Sequence, residues 1–197
     1  MTRPRREFVG ITRPAQLKAL ASPLRQELVD VLESAGPSSV AELGERLGRA
    51  ADSLYFHLRV LVKVGLVVET ERRQVGRHAF AVYDLVGRPL RIDRELARRV
   101  DLSAVVAGIL RLAARDYRRG LGGSGAVASG PSRNHWGGRA RGWLDARGLA
   151  RVNELLEELN ELVRSGQPGK GRQPVALAWV LAPTPARPTR GRRRAKR

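Results

Sequence analysis

The sequence predicts an α+β fold, mainly α: a helical domain closed by a β-hairpin, then a helical region that carries one lone strand near its end. Three observations predict it. Apolar residues recur at three- and four-residue steps through 14–64, and again through 93–119 and 146–164, which is the period of an amphipathic helix. The pattern changes at 66–70 and 79–83 to short runs rich in β-branched and aromatic residues, the composition of strands. Gly36-Pro37, Gly48, Gly65 and Gly87-Arg88-Pro89 punctuate the chain between these runs. With 197 residues, 42% of them hydrophobic, the chain can build a core.

The elements follow in order. Residues 1–13 form a basic N-terminal arm. Leu17, Leu20, Leu24, Leu28, Val31 and Leu32 make one apolar stripe, interrupted at Ser22-Pro23. Serine suits an N-cap and proline the first helical position, so two helices are expected, over 14–21 and 23–34. A third begins after Ser39, because Ser39 and Glu42 have the spacing of a capping box. Val40, Leu43 and Leu47 supply its buried face, and Gly48 allows a tight turn. A fourth runs from about 51 to 64, with Gly65 as a left-handed stop. Strands at 66–70 and 79–83 then flank Arg72-Arg73-Gln74-Val75-Gly76-Arg77-His78, a basic hairpin tip. Three helices followed by such a hairpin is the plan of a winged helix-turn-helix, bounded here at 14–88.

A single long helix is expected over 93–119, within a segment 89–120. Leu96, Val100, Ser103, Ala107, Leu110, Ala114 and Tyr117 form a nearly heptad stripe whose small residues permit close helix approach, so this is the expected dimerisation helix. Residues 121–142 read as a flexible Gly/Ser/Arg-rich loop. Residues 143–182 hold a helix at about 146–164, with Leu149, Val152, Leu156, Leu159 and Val163 on its apolar side, and a lone strand at 174–182. Residues 183–197 are a Pro/Arg-rich tail of net +7, expected to be disordered.

The formal net charge is +18, which points to a polyanionic partner, nucleic acid first. Arg dominates the basic residues; Lys occurs only at Lys18, Lys63, Lys170 and Lys196. The surplus is uneven. Residues 1–90 hold 14 basic and 10 acidic residues, and residues 91–197 hold 23 and 9. Charge alone therefore does not locate the DNA-reading segment. The absence of cysteine removes disulfides, thiolate zinc sites and cysteine nucleophiles, and fits a cytosolic protein. No apolar run approaches the ~20 residues that span a bilayer. The basic start, Met1 to Arg6, is not followed by an apolar signal core.

A helix-turn-helix inserts its second helix into the major groove, so that helix needs two faces. On a wheel of 51–64, Leu54, Leu58 and Leu61 share one side. Asp52, Phe56, Arg59, Val60 and Lys63 lie opposite, flanked by Ser53 and Tyr55. An exposed aromatic pair with Arg and Lys is hard to explain by packing and easy to explain as a groove surface. Arg59 can reach guanine or phosphate, Ser53 and Tyr55 can bond phosphates, and Phe56 can meet thymine methyls. On the wing, Arg72, Arg73, Arg77 and His78 are expected on phosphates, against the alternative of plain solubilising charge. Asp52 either complements the helix N-terminus or reads cytosine.

Residues 17–85 resemble the ArsR-type winged-helix regulators. "LKALASPLRQELVDVL" (17–32) is similar to that family's opening helices, and "SVAELGERLGRAADSLYFHLRVLVKVGLV" (39–67) to its helix-turn-helix. Ser53-Leu54-Tyr55-Phe56-His57-Leu58-Arg59 resembles the "SLYYHLR" recognition run of one subgroup of cytoplasmic prokaryotic regulators. "LRLAARDYRRGL" (110–121) and "WLDARGLARVNELLEELNELV" (143–163) resemble its C-terminal half. The resemblance implies a homodimer on a near-palindromic double-stranded DNA site, with residues 53, 55, 56 and 59 facing the bases and the wing on flanking backbone. It also implies a cytoplasmic, nucleoid-associated repressor. One departure matters: metal-sensing members carry cysteine pairs before the turn, or His/Asp clusters at the dimer helix, and this chain has Val40-Ala41-Glu42-Leu43 at the former and no cysteine. Thiolate metal sensing is excluded, and the small-molecule effector is left unnamed.

Bland readings cover most of the remaining residues. His57 is expected to be packed and hydrogen-bonded rather than a metal ligand; with His78 and His135 it makes no zinc spacing, and no metal or cofactor is expected. Gly120-Leu121-Gly122-Gly123-Ser124-Gly125 lacks the Gly-Lys-Ser/Thr of a phosphate loop and reads as linker. Glu154, Glu157, Glu158 and Glu161 read as an exposed helix face. Trp143 and Trp179 are expected in a C-terminal core. No catalytic constellation is evident, so no enzyme activity is expected. Two other functions fit the charge and the exposed aromatics: a sequence-indifferent chromosome-architecture protein, and a winged-helix protein–protein module. RNA binding through the tail is a third.

Overall fold

The computed structural model describes residues 9–75, 78–123, 125–166 and 169–184. The chain opens with β1 (Val9–Ile11), α1 (Pro14–Leu20) and α2 (Pro23–Ala35). Pro14 and Pro23 each sit in a first turn, where the missing N–H costs nothing. Buried Gln16 turns its Oε1 back to accept from the N–H groups of Thr12 and Arg13, both at 3.0 Å, and so fixes the entry to α1.

A two-residue strand β2 (Ser38–Ser39) leads into α3 (Val40–Leu47). The capping box forms: the Glu42 N–H donates to Ser39 Oγ at 3.3 Å and the Ser39 N–H donates to Glu42 Oε2 at 2.7 Å. The turn into α4 (Asp52–Lys63) is tight enough that a Cβ built on Gly44 would lie 2.7 Å from the Arg49 carbonyl oxygen. Gly65 stops α4 at φ +68°, a left-handed conformation that favours glycine. Leu28, Leu32, Leu43, Leu54, Leu58 and Leu61 are fully buried at the centre of the domain.

β3 (Val67–Val75) and β4 (His78–Leu85) form the wing hairpin, antiparallel, with a bulge between Glu69 and Glu71; β2 pairs on the far side of β4. β5 (Leu90–Ile92) pairs in parallel with β1. Three residues expected in the N-terminal arm and three from just beyond the expected domain end thus join the folded unit. Leu90 and Leu96 lie in its core.

The single long helix expected over 93–119 is two helices, α5 (Arg94–Arg99) and α6 (Ser103–Leu121). Asp93 caps α5 by accepting from the Glu95 and Leu96 N–H groups at 2.9 and 3.1 Å. Val100 leaves the helix for an extended conformation, and Asp101 accepts from the Ser103 N–H at 2.8 Å to restart it. The apolar stripe runs on across a break that local capping imposes. Buried Val105, Gly108 and Leu112 pack α6 onto the domain, and Gln26 of α2 donates to the Val105 carbonyl at 3.0 Å beside Gly108.

α7 (Ala146–Arg164) matches the expected span, but none of its residues is buried. The expected lone strand at 174–182 does not form: those residues are irregular, because no neighbouring segment offers them a ladder among the described residues. Nor, among the described residues, is there a C-terminal core around the tryptophans. Trp143 is 89% exposed, and Trp179 is half exposed with its Nε1 donating to Asn160 Oδ1 at 3.3 Å. With nothing on α7 buried, there is no interior for an indole to enter. The tail beyond residue 184 lies outside the described residues.

Candidate nucleic-acid interface

α4 has the two faces its sequence requires. Leu54, Leu58 and Leu61 have no exposed surface, whereas Phe56 is 59% exposed and Tyr55 44%. Ser53, Arg59 and Lys63 are exposed on the same outward side, as is Asp52 in the first turn. Ser53 Oγ donates to the Ala50 carbonyl at 2.7 Å, which holds the hydroxyl at the start of the helix. At the other end, the Arg13 guanidinium donates to the Val64 carbonyl. This cap on the last turn comes from a residue that the sequence placed in a mere arm; its position one before Pro14 is the only signal that could have found it.

His57 is half-buried with the edge of its ring against Phe56, centroids 5.4 Å apart. Burial, and then the charges of Arg25 and Arg49, lower its pKa and so disfavour the imidazolium. Its packing is as expected. The expected hydrogen bond is missing at Nδ1, which is buried without a partner. Among the described residues no group of three or more His, Asp or Glu is placed to hold a metal ion, and no helix is long and apolar enough to cross a membrane.

Tyr83, on β4, is buried. Burial, and then the neighbouring Glu69 and Tyr55, raise its phenol's pKa, while Arg59 and Arg72 pull it back down. The charges of Arg59 of α4 and Arg72 of β3 therefore both reach this phenol. Sequence reading missed Tyr83 because it counted as one more strand residue.

The wing arginines separate. Arg72 is largely exposed, with Glu69 at 3.5 Å. Arg73 lies between Glu42 at 3.4 Å and Glu71 at 3.9 Å, which ties the wing to the capping box of α3. The Ser39 hydrogen bonds, and then Arg73, hold the Glu42 carboxyl below its usual range. Arg77 lies outside the described residues; His78 contributes backbone to the β3–β4 ladder opposite Val75.

The expected dimerisation stripe is divided. Leu96 is buried in the chain's own core and Val100 packs against it. The remaining five, Ser103, Ala107, Leu110, Ala114 and Tyr117, fall on the side of α6 opposite its buried Val105, Gly108 and Leu112. Leu110 is 50% exposed; Tyr117 is 42% exposed and stacks on His135 with centroids 3.9 Å apart.

A family model described as a helix-turn-helix domain matches residues 20–70, from the last residue of α1 to the middle of β3. That family includes the ArsR-type regulators. No curated protein matches the chain. The match and the geometry agree on the segment: residues 20–70 are a helix-turn-helix domain, which supports a DNA-binding regulator in general.

Proposed function

We propose that, on this helix-turn-helix domain, the chain acts as a homodimeric, sequence-specific transcription repressor of the ArsR type. In this reading α4 enters the major groove, and Ser53, Tyr55, Phe56, Arg59 and Lys63 meet bases and phosphates. Arg72, with Arg77 and His78 at the hairpin tip, grips flanking backbone, and Arg73 braces the hairpin from behind. One observation carries it: Phe56 and Tyr55 stay exposed beside Arg59 on a helix whose other side is fully buried. Large apolar rings left in water next to a cation need a partner that offers both apolar and acceptor surface, and the edges of base pairs do.

The outer stripe of α6 supplies the dimer contact. Two copies joined there would set the two α4 helices on half-sites about 34 Å apart, or a multiple of that distance. Selection of bound sequences from a random DNA pool should return a near-palindrome. On that site Arg59→Ala should remove discrimination against a mutated half-site, a loss of about 1–3 kcal/mol, while leaving the dimer intact. Gel shifts showing the same discrimination in the variant would overturn the groove assignment.

The net charge of +18 favours a second reading, a sequence-indifferent chromosome-architecture protein. Competition between the selected site and bulk DNA separates the two. Equal affinity for both supports the second; a preference of about a thousandfold or more supports the first.

A further inference from the structure

α6 has a third side. Arg111, Arg115 and Arg118 recur at i, i+4 and i+7, between its buried face and its outer stripe. They form one wall of a cleft of about 540 Å3, whose other wall is the start of α2. The floor is apolar, from Leu24 and Leu112.

Like charges at this spacing repel, so the row must be neutralised or left in open water. Arg115 is neutralised: Glu27 lies 2.6 Å from it and Asp116 also 2.6 Å. Arg111 and Arg118 are not. Among the described residues, Arg111 makes no ion pair or hydrogen bond, and Arg118 donates only to the Ala114 carbonyl, at 3.1 Å. Both side chains are exposed, and both border a cleft that Leu24 and Leu112 also line.

The facing end of α2 adds to the positive field. It has no acidic residue in its first turn, and Ser22, although at the N-cap, makes no side-chain cap bond. Between the walls lies Glu27, whose side chain is 9% exposed. Its Oε2 accepts no hydrogen bond; the nearest cation, Arg49, is 3.6 Å away. Arg115 on Oε1 and Arg49 near Oε2 already answer the charge of this buried carboxylate.

We propose that this cleft binds a small organic acid, with its carboxylate on Arg111 and Arg118 and an apolar body over Leu24 and Leu112. Glu27 also joins Arg49, in the turn before α4, to Arg115 of α6. A carboxylate bound at Arg111 and Arg118 adds a negative charge beside Arg115 and weakens its hold on Glu27, and with it the tie between the helix-turn-helix and α6. That second step rests on the function proposed above, and gives the regulator an effector site that its lack of cysteine denies to thiolate metals.

The test is calorimetric titration of the full chain with 4-hydroxybenzoate, with inorganic phosphate, and with neutral 4-hydroxybenzamide. Saturable binding of the benzoate, absent with the amide, is expected; phosphate binding in its place would reassign the site to phosphorylated ligands and overturn the carboxylate assignment. Arg111→Gln/Arg118→Gln should weaken benzoate binding by at least about tenfold. The variant should melt no lower than the parent, since it removes a repulsion. Arg94→Gln/Arg98→Gln, which removes the same net charge from α5, should leave binding unchanged. No benzoate binding at about 10 mM, or equal loss in both double variants, overturns the site. The titration needs no DNA, so its result stands apart from the DNA reading. Benzoate binding that leaves affinity for the selected DNA site unaltered overturns the coupling alone.

Discussion

Arg72 and Arg73 are neighbours in β3, yet the pleat sends them to opposite faces of the hairpin. Arg72 lies on the face of the hairpin that carries Tyr83, whose phenol also feels the charge of Arg59 on α4; Arg73 is drawn back to Glu42. Two arginines of equal rank in the sequence therefore have different work. If Arg72 neutralises one phosphate, Arg72→Ala should flatten the slope of log affinity against log salt by about 1, uniformly across DNA sequences. Arg73→Ala should leave that slope in place. Salt titrations in which both variants fall equally would sink the distinction. The sequence could not draw it, because the bulge between Glu69 and Glu71 resets which strand residues share a face, and a bulge leaves no compositional trace. It could show the α4 contrast, because Leu54, Leu58 and Leu61 alternate with Tyr55, Phe56 and Arg59 at the helix period itself.

At the scale of elements, local chemistry was legible and interruptions to it were not. The α3 cap was readable because Ser39 and Glu42 satisfy each other's backbone within four residues. The break between α5 and α6 was hidden by a stripe that continues through it, although Asp101 two residues before Ser103 was the available sign. The angle between α3 and α4 rests on Gly44. Gly44→Ala would drive a methyl into the Arg49 carbonyl oxygen, 2.7 Å from the ideal Cβ position, and backbone must move to admit it. The expected cost is about 1–3 kcal/mol of stability, with a matching loss of DNA binding as α4 tilts. A denaturation midpoint equal to the parent's would show that the turn has slack. α2 offers a pH test. Partial burial, and then Glu33, Glu27 and Asp116, push the Asp30 carboxyl up to about 6, against the pull of Arg164 on α7. Between its ordinary 3.8 and about 6, the folded chain keeps a proton that the unfolded chain has released. The stability this group lends is thus present at low pH and lost as pH rises through about 6. Asp30→Asn should therefore be more stable than the parent at pH 7 and no different near pH 4. Urea midpoints that differ equally at both would assign the effect to packing instead.

For the molecule as a whole, the core ends at the inner face of α6. The helix-turn-helix, wing and β1–β5 pair bury their apolar residues within one chain, whereas the C-terminal half leaves Trp143, Leu149, Leu159 and Leu162 exposed. The amphipathic stripe of α7 was readable from its period, but the sequence did not say what it packs against, and within one chain Val152, Leu156 and Val163 are only partly covered while Leu149 and Leu159 stay exposed. A helix face of that kind is stable when a partner covers it. The outer stripe of α6 has the small residues, Ser103, Ala107 and Ala114, that let two helix backbones approach, with Leu110 at its centre. If two copies meet there, Leu110→Glu places a charge at the middle of an apolar contact in each of them. The variant should keep the parent's helical content and wing, because Leu110 is half exposed and lies outside the single-chain core. It should sediment at the chain's own 21.7 kDa where the parent sediments at twice that. Its hold on the two-half-site DNA should fall toward the affinity for one half-site, because the second contact loses the high effective concentration that linkage provides. A parent already monomeric at micromolar concentration, or a Leu110→Glu variant still dimeric, would move the joining surface away from α6.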